Sequence, residues 1–375
     1  MVKKITKITI ITLSALIILF LGVAGVINIA RASSKPESEF ECLTGDANKV
    51  ILFIGDGMGE NHISNAKLYL GKDIFFTSFE VNGYVTTYSK NTYWPTDSAA
   101  AATALATGKK VYNTSVAQDF GQNLTSISEI AKANGLGVGI VTTDLLNGAT
   151  PSSFSAHSSS RSNTEEIILS QLENNIDLYL GAGYETYLEY KTEWEEKGYN
   201  FISTYNELKE TNYTGKIIGS FEEIGYPSED TELTLSMLAE YAYEYFERNY
   251  PDGYFLMIEG AHIDKMNHRN EVVNMINYLV DFDTSIKLAY DKFHKHSEVC
   301  IIVTADHESG GLQLAESKDE ITDNLYTTED HTHDDVKYFI YQKNNNDLKK
   351  LPETLDNTNI FDIYTKMLNV KTEIE

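Results

Sequence analysis

Three apolar stretches of the chain run directly into acidic residues, a pattern that favours metal chemistry. The stretches 50–54, 254–258 and 299–304 lead into Asp56, Glu259 and Asp306. A carboxylate beside buried apolar residues costs free energy unless a partner compensates it. Gly55 and Gly57 flank Asp56 and would let the backbone turn sharply and expose that carboxylate. A single case would be explained by a helix or turn cap, but three cases with histidines nearby predict a metal site.

Further metal-binding side chains lie close to these stretches. Asp264 and His268 are four residues apart, so a helix there would place both on one face, where they could hold one ion. Three other imidazoles follow, at His307, His331 and His333. Sites that mix carboxylates with imidazoles suit zinc, whereas sites of oxygen ligands suit magnesium. Because Cys42 and Cys300 are the only cysteines, a thiolate zinc site and a disulfide scaffold are both excluded.

Ser98 is the candidate nucleophile. Four alanines follow it and favour a helix that begins at the serine. One interpretation makes Ser98 a simple N-cap of that helix. The other is functional: a helix N-terminus favours an anion, so Ser98 could ionise there and a phosphate could bind. Since no Gly-x-Ser-x-Gly motif is present, a metal ion would have to activate the hydroxyl.

The charge of the chain limits its binding partners. It has 55 acidic and 30 basic residues among 375, a formal net charge of −25. A broad basic surface for nucleic acid is therefore not expected, and we predict no nucleic-acid binding. An anionic substrate would need positive charge concentrated at one place. Small substrates fit that requirement better than polyanions.

The hydropathy pattern predicts an α/β fold. Buried strands are predicted at 50–54, 137–142, 176–180, 254–258 and 299–304. Helices are predicted at 98–107, 126–134, 231–247 and 271–294, with Gly108 and Gly135 as C-terminal stops. This alternation predicts a mainly parallel central sheet sandwiched between helices, with ligands at the carboxyl ends of the strands.

Several motifs, taken in order, resemble the alkaline phosphatase family. They are Asn48–Gly59, Thr96–Ala100, Ala149–Pro151 followed by Arg161, Glu259–Lys265 with His268, Thr304–His307, and His331 with Thr332. The resemblance runs from about residue 48 to residue 369. It implies the fold of that family and an enzyme that hydrolyses phosphomonoesters through a phosphoserine intermediate, with two zinc ions and one magnesium ion.

The resemblance also implies a role for each matching residue. Ser98 would be the nucleophile, and Arg161 would bind two phosphate oxygens through its planar guanidinium group. Asp97 would orient that arginine, and Lys265 would lie near the phosphate. One zinc ion would be held by Asp264, His268 and His331, and the second by Asp56, Asp306 and His307. The magnesium ion would be held by Asp56, Thr150 and Glu259.

Two positions depart from the family pattern. Family members usually carry aspartate or histidine two residues before the magnesium-binding threonine, and this chain has Gly148 there. The occupancy of the magnesium site is therefore an open question. His333 stands where glycine is frequent, so that either His331 or His333 could be the zinc ligand, and the motif favours His331.

The N-terminus predicts export. Lysines at positions 3, 4 and 7 precede an uncharged apolar stretch at 8–30, and 30–32 offers a small-x-small cleavage site. Residues 1–32 are a cleaved signal or a membrane anchor, and both alternatives place the enzyme outside the cell, secreted or at the surface. A linker at 33–48 and one catalytic domain at 49–375 would follow, with an inserted cap around 184–226. A homodimer is a further implication of the resemblance.

The residues also bear on two rival functions. A superfamily phosphodiesterase or sulfatase-like hydrolase would share the metal ligands but usually carries a different nucleophile, so Ser98 with Arg161 favours the monoesterase. An inactive acidic surface-binding protein would have lost its ligands, whereas here they are present.

Overall fold

A ten-stranded sheet forms the centre of the computed structural model, which describes residues 43, 47–212, 214–228, 231 and 233–372. The strands of the described residues are, in chain order, β1 (Lys49–Ile54), β2 (Val81–Thr86), β3 (Gln118–Asp119), β4 (Gln122–Asn123), β5 (Gly137–Leu145), β6 (Leu178–Ala182), β7 (Tyr199–Ile202), β8 (Lys216–Phe221), β9 (Tyr254–Glu259), β10 (Val299–Thr304), β11 (Val336–Gln342) and β12 (Thr354–Asp356). Strands β3 and β4 pair only with each other.

The sheet is mainly parallel, as predicted. Its strands lie in the order β12-β2-β11-β10-β1-β9-β5-β6-β8-β7. All neighbours are parallel except β10 with β11 and β11 with β2. Every residue of β1, β9 and β10 is buried, because these central strands are covered on both faces.

Helices flank the sheet and complete the predicted α/β fold. They are α1 (Glu60–Leu70), α2 (Ser98–Thr107), α3 (Ile127–Ala133), α4 (Ala149–Ser155), α5 (Thr164–Glu173), α6 (Tyr184–Leu188), α7 (Lys191–Glu196), α8 (Tyr205–Glu210), α9 (Leu235–Asn249), α10 (His262–His268), α11 (Val272–Phe293) and α12 (Asn357–Leu368). One group packs α4 and α12 against α2, and another packs α9 and α10 against α11.

Local signals explain several helix boundaries. Helix α2 has the predicted bounds and ends at Gly108, whose φ of +66° is left-handed and favours glycine. The predicted helix 231–247 begins later, at Leu235, because the Thr234 side chain accepts a hydrogen bond from the N–H of Met237. The predicted strand 176–180 lies two residues further along, at Leu178–Ala182.

Two parts of the chain bear on the predicted domain organisation. Segment 184–226 contains α6, α7, α8, β7 and β8, and its two strands form one edge of the central sheet. The predicted leader at 1–32 lies outside the described residues, as does most of the predicted linker. Among the residues that are described, no helix has the length and apolar character needed to span a membrane.

Candidate active site

The acidic strand ends meet at one edge of the sheet. Strand β1 lies between β9 and β10, and Ile54 aligns with Glu259 on one side and with Thr304 on the other. Asp56 and Asp306 each follow two residues beyond this aligned row. Parallel central strands therefore bring the three predicted carboxylates together at their carboxyl ends, where such folds bind ligands.

A glycine turn after β1 makes room for this cluster. Gly57 has a φ of +69°, and its N–H donates a hydrogen bond of 3.1 Å to Asp306 Oδ1. A Cβ atom at this position would lie 2.7 Å from Asp264 Oδ1. A larger residue would thus strain the backbone and collide with a candidate ligand.

Asp56, Asp306 and His307 form the first candidate metal group. His307 Nε2 lies 3.4 Å from Asp56 Oδ1 and 3.2 Å from Asp306 Oδ2. Their ligand atoms all lie within 4.8 Å of one another. Asp56 Oδ1 and Asp306 Oδ2 are buried and make no hydrogen bond of good geometry within the described structure. Buried carboxylate oxygens without donors fit a site in which a cation is the missing partner.

Asp264, His268 and His331 lie beside this group. The Nε2 atom of His268 is 3.2 Å from Asp264 Oδ2 and 3.2 Å from His331 Nε2. His331 Nε2 lies 3.9 Å from Asp264 Oδ1. Asp264 and His331 also form a compact group with His307, again with ligand atoms within 4.8 Å. The predicted helical spacing is present, since Asp264 and His268 both belong to α10.

Backbone carbonyls orient the two outer imidazoles. His331 Nδ1 lies 2.8 Å from the carbonyl oxygen of Thr96, and His268 Nδ1 contacts the carbonyl of Glu329. A ring nitrogen that donates to a carbonyl leaves the other nitrogen free to bind a metal ion. Both Nε2 atoms face Asp264, which is the orientation that a shared metal requires.

The electrostatics of the cluster favour a bound cation. Burial and the neighbouring Asp306 raise the pKa of Asp56 well above its usual range. Burial and the charge of Asp264 raise the pKa of Asp306 to about 6. The hydrogen bond to Asp264 raises the pKa of His268 to about 9. Burial keeps the pKa of His307 well below its usual range, so this imidazole is neutral, as a metal ligand must be.

Ser98 is the first residue of α2, and the N-cap is Asp97. The Asp97 Oδ1 atom accepts a hydrogen bond of 3.0 Å from the N–H of Ala100. Ser98 is therefore not the N-cap, and its side chain is not used for capping. Its Oγ lies 3.2 Å from His307 Nε2, next to the candidate metal group. The helix N-terminus and the metal-binding side chains thus converge on one hydroxyl.

Arg161 contacts Asp97, the N-cap residue that precedes Ser98. Its Nη1 lies 3.4 Å from Asp97 Oδ2, an oxygen that also accepts a hydrogen bond of 3.0 Å from the N–H of Thr114. The N–H of Arg161 donates to the carbonyl of Thr114 at 2.8 Å. The Arg161 side chain is 36% exposed, so a ligand can still reach it from solvent.

The family model described as Alkaline phosphatase matches residues 47–360. The chain belongs to the alkaline phosphatase family. It is 32% identical to alkaline phosphatase 4 of Bacillus subtilis over 316 residues, which cover 76% of this chain and 65% of that protein. It is also 32% identical to the alkaline phosphatase of Escherichia coli over 330 residues, covering 70% of each chain. The matches span about two thirds of the length of these relatives.

Solved structures of the alkaline phosphatase family share the fold. The enzyme from the Antarctic bacterium TAB5 superposes with a TM-score of 0.77 at 27% identity, covering 87% of this chain and 99% of that chain. A cold-active alkaline phosphatase from Shewanella sp. gives a TM-score of 0.77 at 25% identity, covering 86% and 99%. This alkaline phosphatase family member thus shares its fold with these solved enzymes over nearly the whole length of their chains.

The predicted magnesium ligands lie deeper in the same cluster. Glu259 is buried and accepts a hydrogen bond from the hydroxyl of Thr142. Burial and the nearby charge of Asp144 raise the pKa of Glu259 to about 8. Thr150 Oγ1 is buried beside Glu259 and makes no hydrogen bond of good geometry to a described residue. The ammonium group of Lys265 forms an ion pair with Asp144. Asp144 was not among the site residues predicted from the sequence.

The remaining histidines have partners outside the cluster or face solvent. His333 is exposed, whereas His331 is oriented into the site. His157 lies between the carbonyl of Ala117 and the carboxylate of Glu129, which is a structural role. Burial lowers the pKa of both His62 and His262 to about 4. Within the described structure, the two compact candidate metal groups thus draw their imidazoles from His307 and His331.

Proposed function

We propose that this protein hydrolyses phosphomonoesters through a phosphoserine intermediate on Ser98. The observation that carries the proposal is the 3.2 Å approach of Ser98 Oγ to His307 Nε2 at the N-terminus of α2. Membership of a family of phosphoric monoester hydrolases supports it. Asp97 takes over the capping role, which leaves the serine hydroxyl available for attack.

The donor set fits two zinc ions and one magnesium ion. Two compact groups combine carboxylates with imidazoles, and His268 lies beside one of them, within 3.2 Å of Asp264 and of His331; such mixed ligand sets suit zinc. One zinc ion would be held by Asp56, Asp306 and His307, and the other by Asp264, His268 and His331. Bound zinc would lower the pKa of the serine hydroxyl and neutralise charge that develops on the transferred group and the leaving oxygen. Asp56, Glu259 and Thr150 supply only oxygen atoms, which suits magnesium.

The side chains define the course of the reaction. Ser98 Oγ attacks phosphorus in line with the ester oxygen, so that a serine–phosphorus bond forms and the alcohol leaves. Arg161, held by Asp97, binds the two oxygens that do not react, and the N–H groups at the start of α2 add positive potential. Water then attacks the phosphoserine, which releases inorganic phosphate and restores Ser98.

A relative supports magnesium at the third position. Variants of the TAB5 enzyme in which one histidine is replaced by aspartate or by glutamate are described with magnesium bound in the M3 site. Acidic side chains are thus compatible with magnesium in that enzyme. We assign magnesium in this chain to the oxygen-rich cluster of Glu259, Asp56 and Thr150.

We extend the proposal to location and substrate size. The apolar stretch at 8–30 after three lysines supports export, with the catalytic part secreted or anchored at the cell surface. The net charge of −25 supports small phosphomonoesters over polyanionic substrates. A homodimer stays a prediction from the resemblance.

Chelation combined with a substrate comparison tests the function. Removal of metal ions should abolish hydrolysis of a generic phosphomonoester, and zinc with magnesium should restore it, whereas a phosphodiester and a sulfate ester should be poor substrates throughout. Activity that survives thorough chelation would contradict the metal mechanism. Faster hydrolysis of the diester or the sulfate ester would favour the rival superfamily activities, and a metal-reconstituted protein without any esterase activity would favour the binding protein.

A further inference from the structure

The backbone angles at Gly148 do not require a glycine. It is the N-cap of α4, with φ −60° and ψ 166°, a conformation open to any residue. A Cβ atom there would lie 2.2 Å from Asp144 Oδ2, 2.9 Å from Asp144 Cγ and 2.9 Å from the carbonyl oxygen of Leu145. The shortest of these contacts shows that the carboxylate of Asp144 fills most of the space that a side chain at position 148 would use.

An irregularity in β5 directs Asp144 to that space. Val141 pairs with Leu180 on β6, but Leu145 pairs with Ala182, so four steps along β5 correspond to two along its neighbour. Such a bulge turns side chains away from the regular alternation of a strand. The N–H of Asp144 also donates to Thr142 Oγ1 at 2.8 Å, which secures the turn.

Asp144 is connected by hydrogen bonds to residues of the candidate magnesium site. Thr142 donates its hydroxyl proton to Glu259, so Asp144 and Glu259 are linked through a single side chain. Asp144 Oδ1 pairs with the ammonium group of Lys265 on α10. On the opposite side, Thr150 Oγ1 is buried without a hydrogen bond of good geometry, only two residues beyond Gly148. A buried hydroxyl beside Glu259 that makes no hydrogen bond of good geometry is suited to bind a cation together with that carboxylate.

We propose that Asp144 supplies the acidic group of the third cation site from β5, in the place that a side chain at position 148 would otherwise occupy from α4. Asp144 is a positioning residue: it orients the water shell of a magnesium ion held by Glu259, Thr150 and Asp56, and it fixes Lys265. Magnesium usually keeps several bound waters, so a carboxylate beyond direct contact still influences its affinity. The inference rests on the proposed phosphatase function.

Magnesium affinity of the zinc-loaded protein tests this role directly. Asp144→Asn keeps the size of the side chain and removes its charge. We expect it to weaken magnesium binding by about 10–100-fold in calorimetric titration, with unchanged zinc content by elemental analysis. Asp119→Asn is the matched control, because Asp119 also pairs with a lysine, Lys90, at 2.7 Å and is not part of the site. Unchanged magnesium affinity in Asp144→Asn would overturn the inference.

A double substitution provides the rescue that a purely structural role would not give. Gly148→Asp in the Asp144→Ala background moves a carboxylate from β5 to α4. The carbonyl oxygen of Leu145, 2.9 Å from the new Cβ atom, must shift slightly to admit it, and the double variant should then recover most of the lost magnesium affinity. Gly148→Asp alone should perturb the site because both carboxylates compete for one space. A folded double variant that binds magnesium as weakly as Asp144→Ala would overturn the proposal, and if the double variant does not fold, Asp144→Asn decides.

Measurements on the wild-type protein distinguish a failure of this inference from a failure of the phosphatase proposal. Zinc content and monoesterase activity without measurable magnesium binding would overturn the role of Asp144 and leave the phosphatase proposal intact. Loss of the phosphatase proposal would instead appear as a zinc-reconstituted wild type that lacks activity.

Discussion

Asp97 contacts Arg161 with one carboxylate oxygen and caps the nucleophile's helix with the other. Oδ2 lies 3.4 Å from Arg161 Nη1, and Oδ1 accepts the N–H of Ala100 at 3.0 Å. One side chain thus fixes the phosphate-binding guanidinium group relative to the helix that begins at Ser98. The position of the arginine and that of the serine are coupled through a single residue.

Substitution of Asp97 by serine should separate these two roles. Serine is also a good N-cap, but it cannot accept the N–H of Thr114 as well, so the free energy of unfolding should fall by no more than about 1–2 kcal/mol. Serine has no second oxygen for Arg161, so inhibition by inorganic phosphate should weaken. Thermal unfolding and inhibition constants measure the two effects. Equal phosphate inhibition in wild type and Asp97→Ser would show that the arginine is held by other contacts.

Removal of the guanidinium group should affect phosphate more than metal. We expect Arg161→Ala to weaken phosphate inhibition by about 10–100-fold, the usual loss when charge-assisted hydrogen bonds are removed. Zinc content should not change, because Arg161 is not among the candidate ligands. Arg248→Ala, on α9, is the control. A variant that loses zinc but keeps its phosphate inhibition would show that the arginine has been assigned wrongly.

Ser98→Ala should remove the covalent intermediate. With labelled phosphomonoester and an acid quench, the wild type should retain label on the protein and the variant should not, with activity lower by several orders of magnitude. Ser162→Ala is a suitable control, because this exposed serine follows Arg161 and lies outside the cluster. Persistent labelling of Ser98→Ala would identify another nucleophile.

The strands that are buried along their whole length are the ones best predicted from the sequence. Strands β1, β9 and β10 are entirely apolar or buried, so their ends could be located and the convergence of Asp56, Glu259 and Asp306 followed from parallel pairing. Strands β2 and β12 are partly exposed and show no such run, which explains why they were not predicted.

The residues that sequence reasoning missed depend on local irregularity. Asp144 enters the site only because β5 changes register after Val141, and no hydropathy pattern reveals such a bulge. Ser309 contacts Asp264 and lies 3.2 Å from His307 Nδ1, through a turn that the sequence alone does not define. The absence of a side chain at Gly148 was visible in sequence, but its replacement from β5 required the fold.

The raised pKa values of Glu259, which is buried, and His268, which is partly exposed, predict how the metal-free protein responds to alkaline pH. Glu259 has a pKa of about 8 and His268 of about 9, each above its ordinary value. The folded state therefore holds these protons more tightly than the unfolded state, and stability is lost as pH rises through the folded pKa values. Between pH 7 and pH 9 the chelated protein should become less stable. Glu259 alone should lower the free energy of unfolding by on the order of 1 kcal/mol for each pH unit, until the pH reaches its folded pKa of about 8.

Thermal unfolding of chelated protein across this range measures the effect. Saturating zinc and magnesium should flatten the dependence, because bound cations replace the protons on these ligands. Glu259→Gln should also reduce the slope in the metal-free protein, since it removes one of the two titrating groups, while Glu244→Gln, in an exposed pair with Lys292, should not. A metal-free wild type that becomes more stable from pH 7 to pH 9 would contradict this account of the cluster.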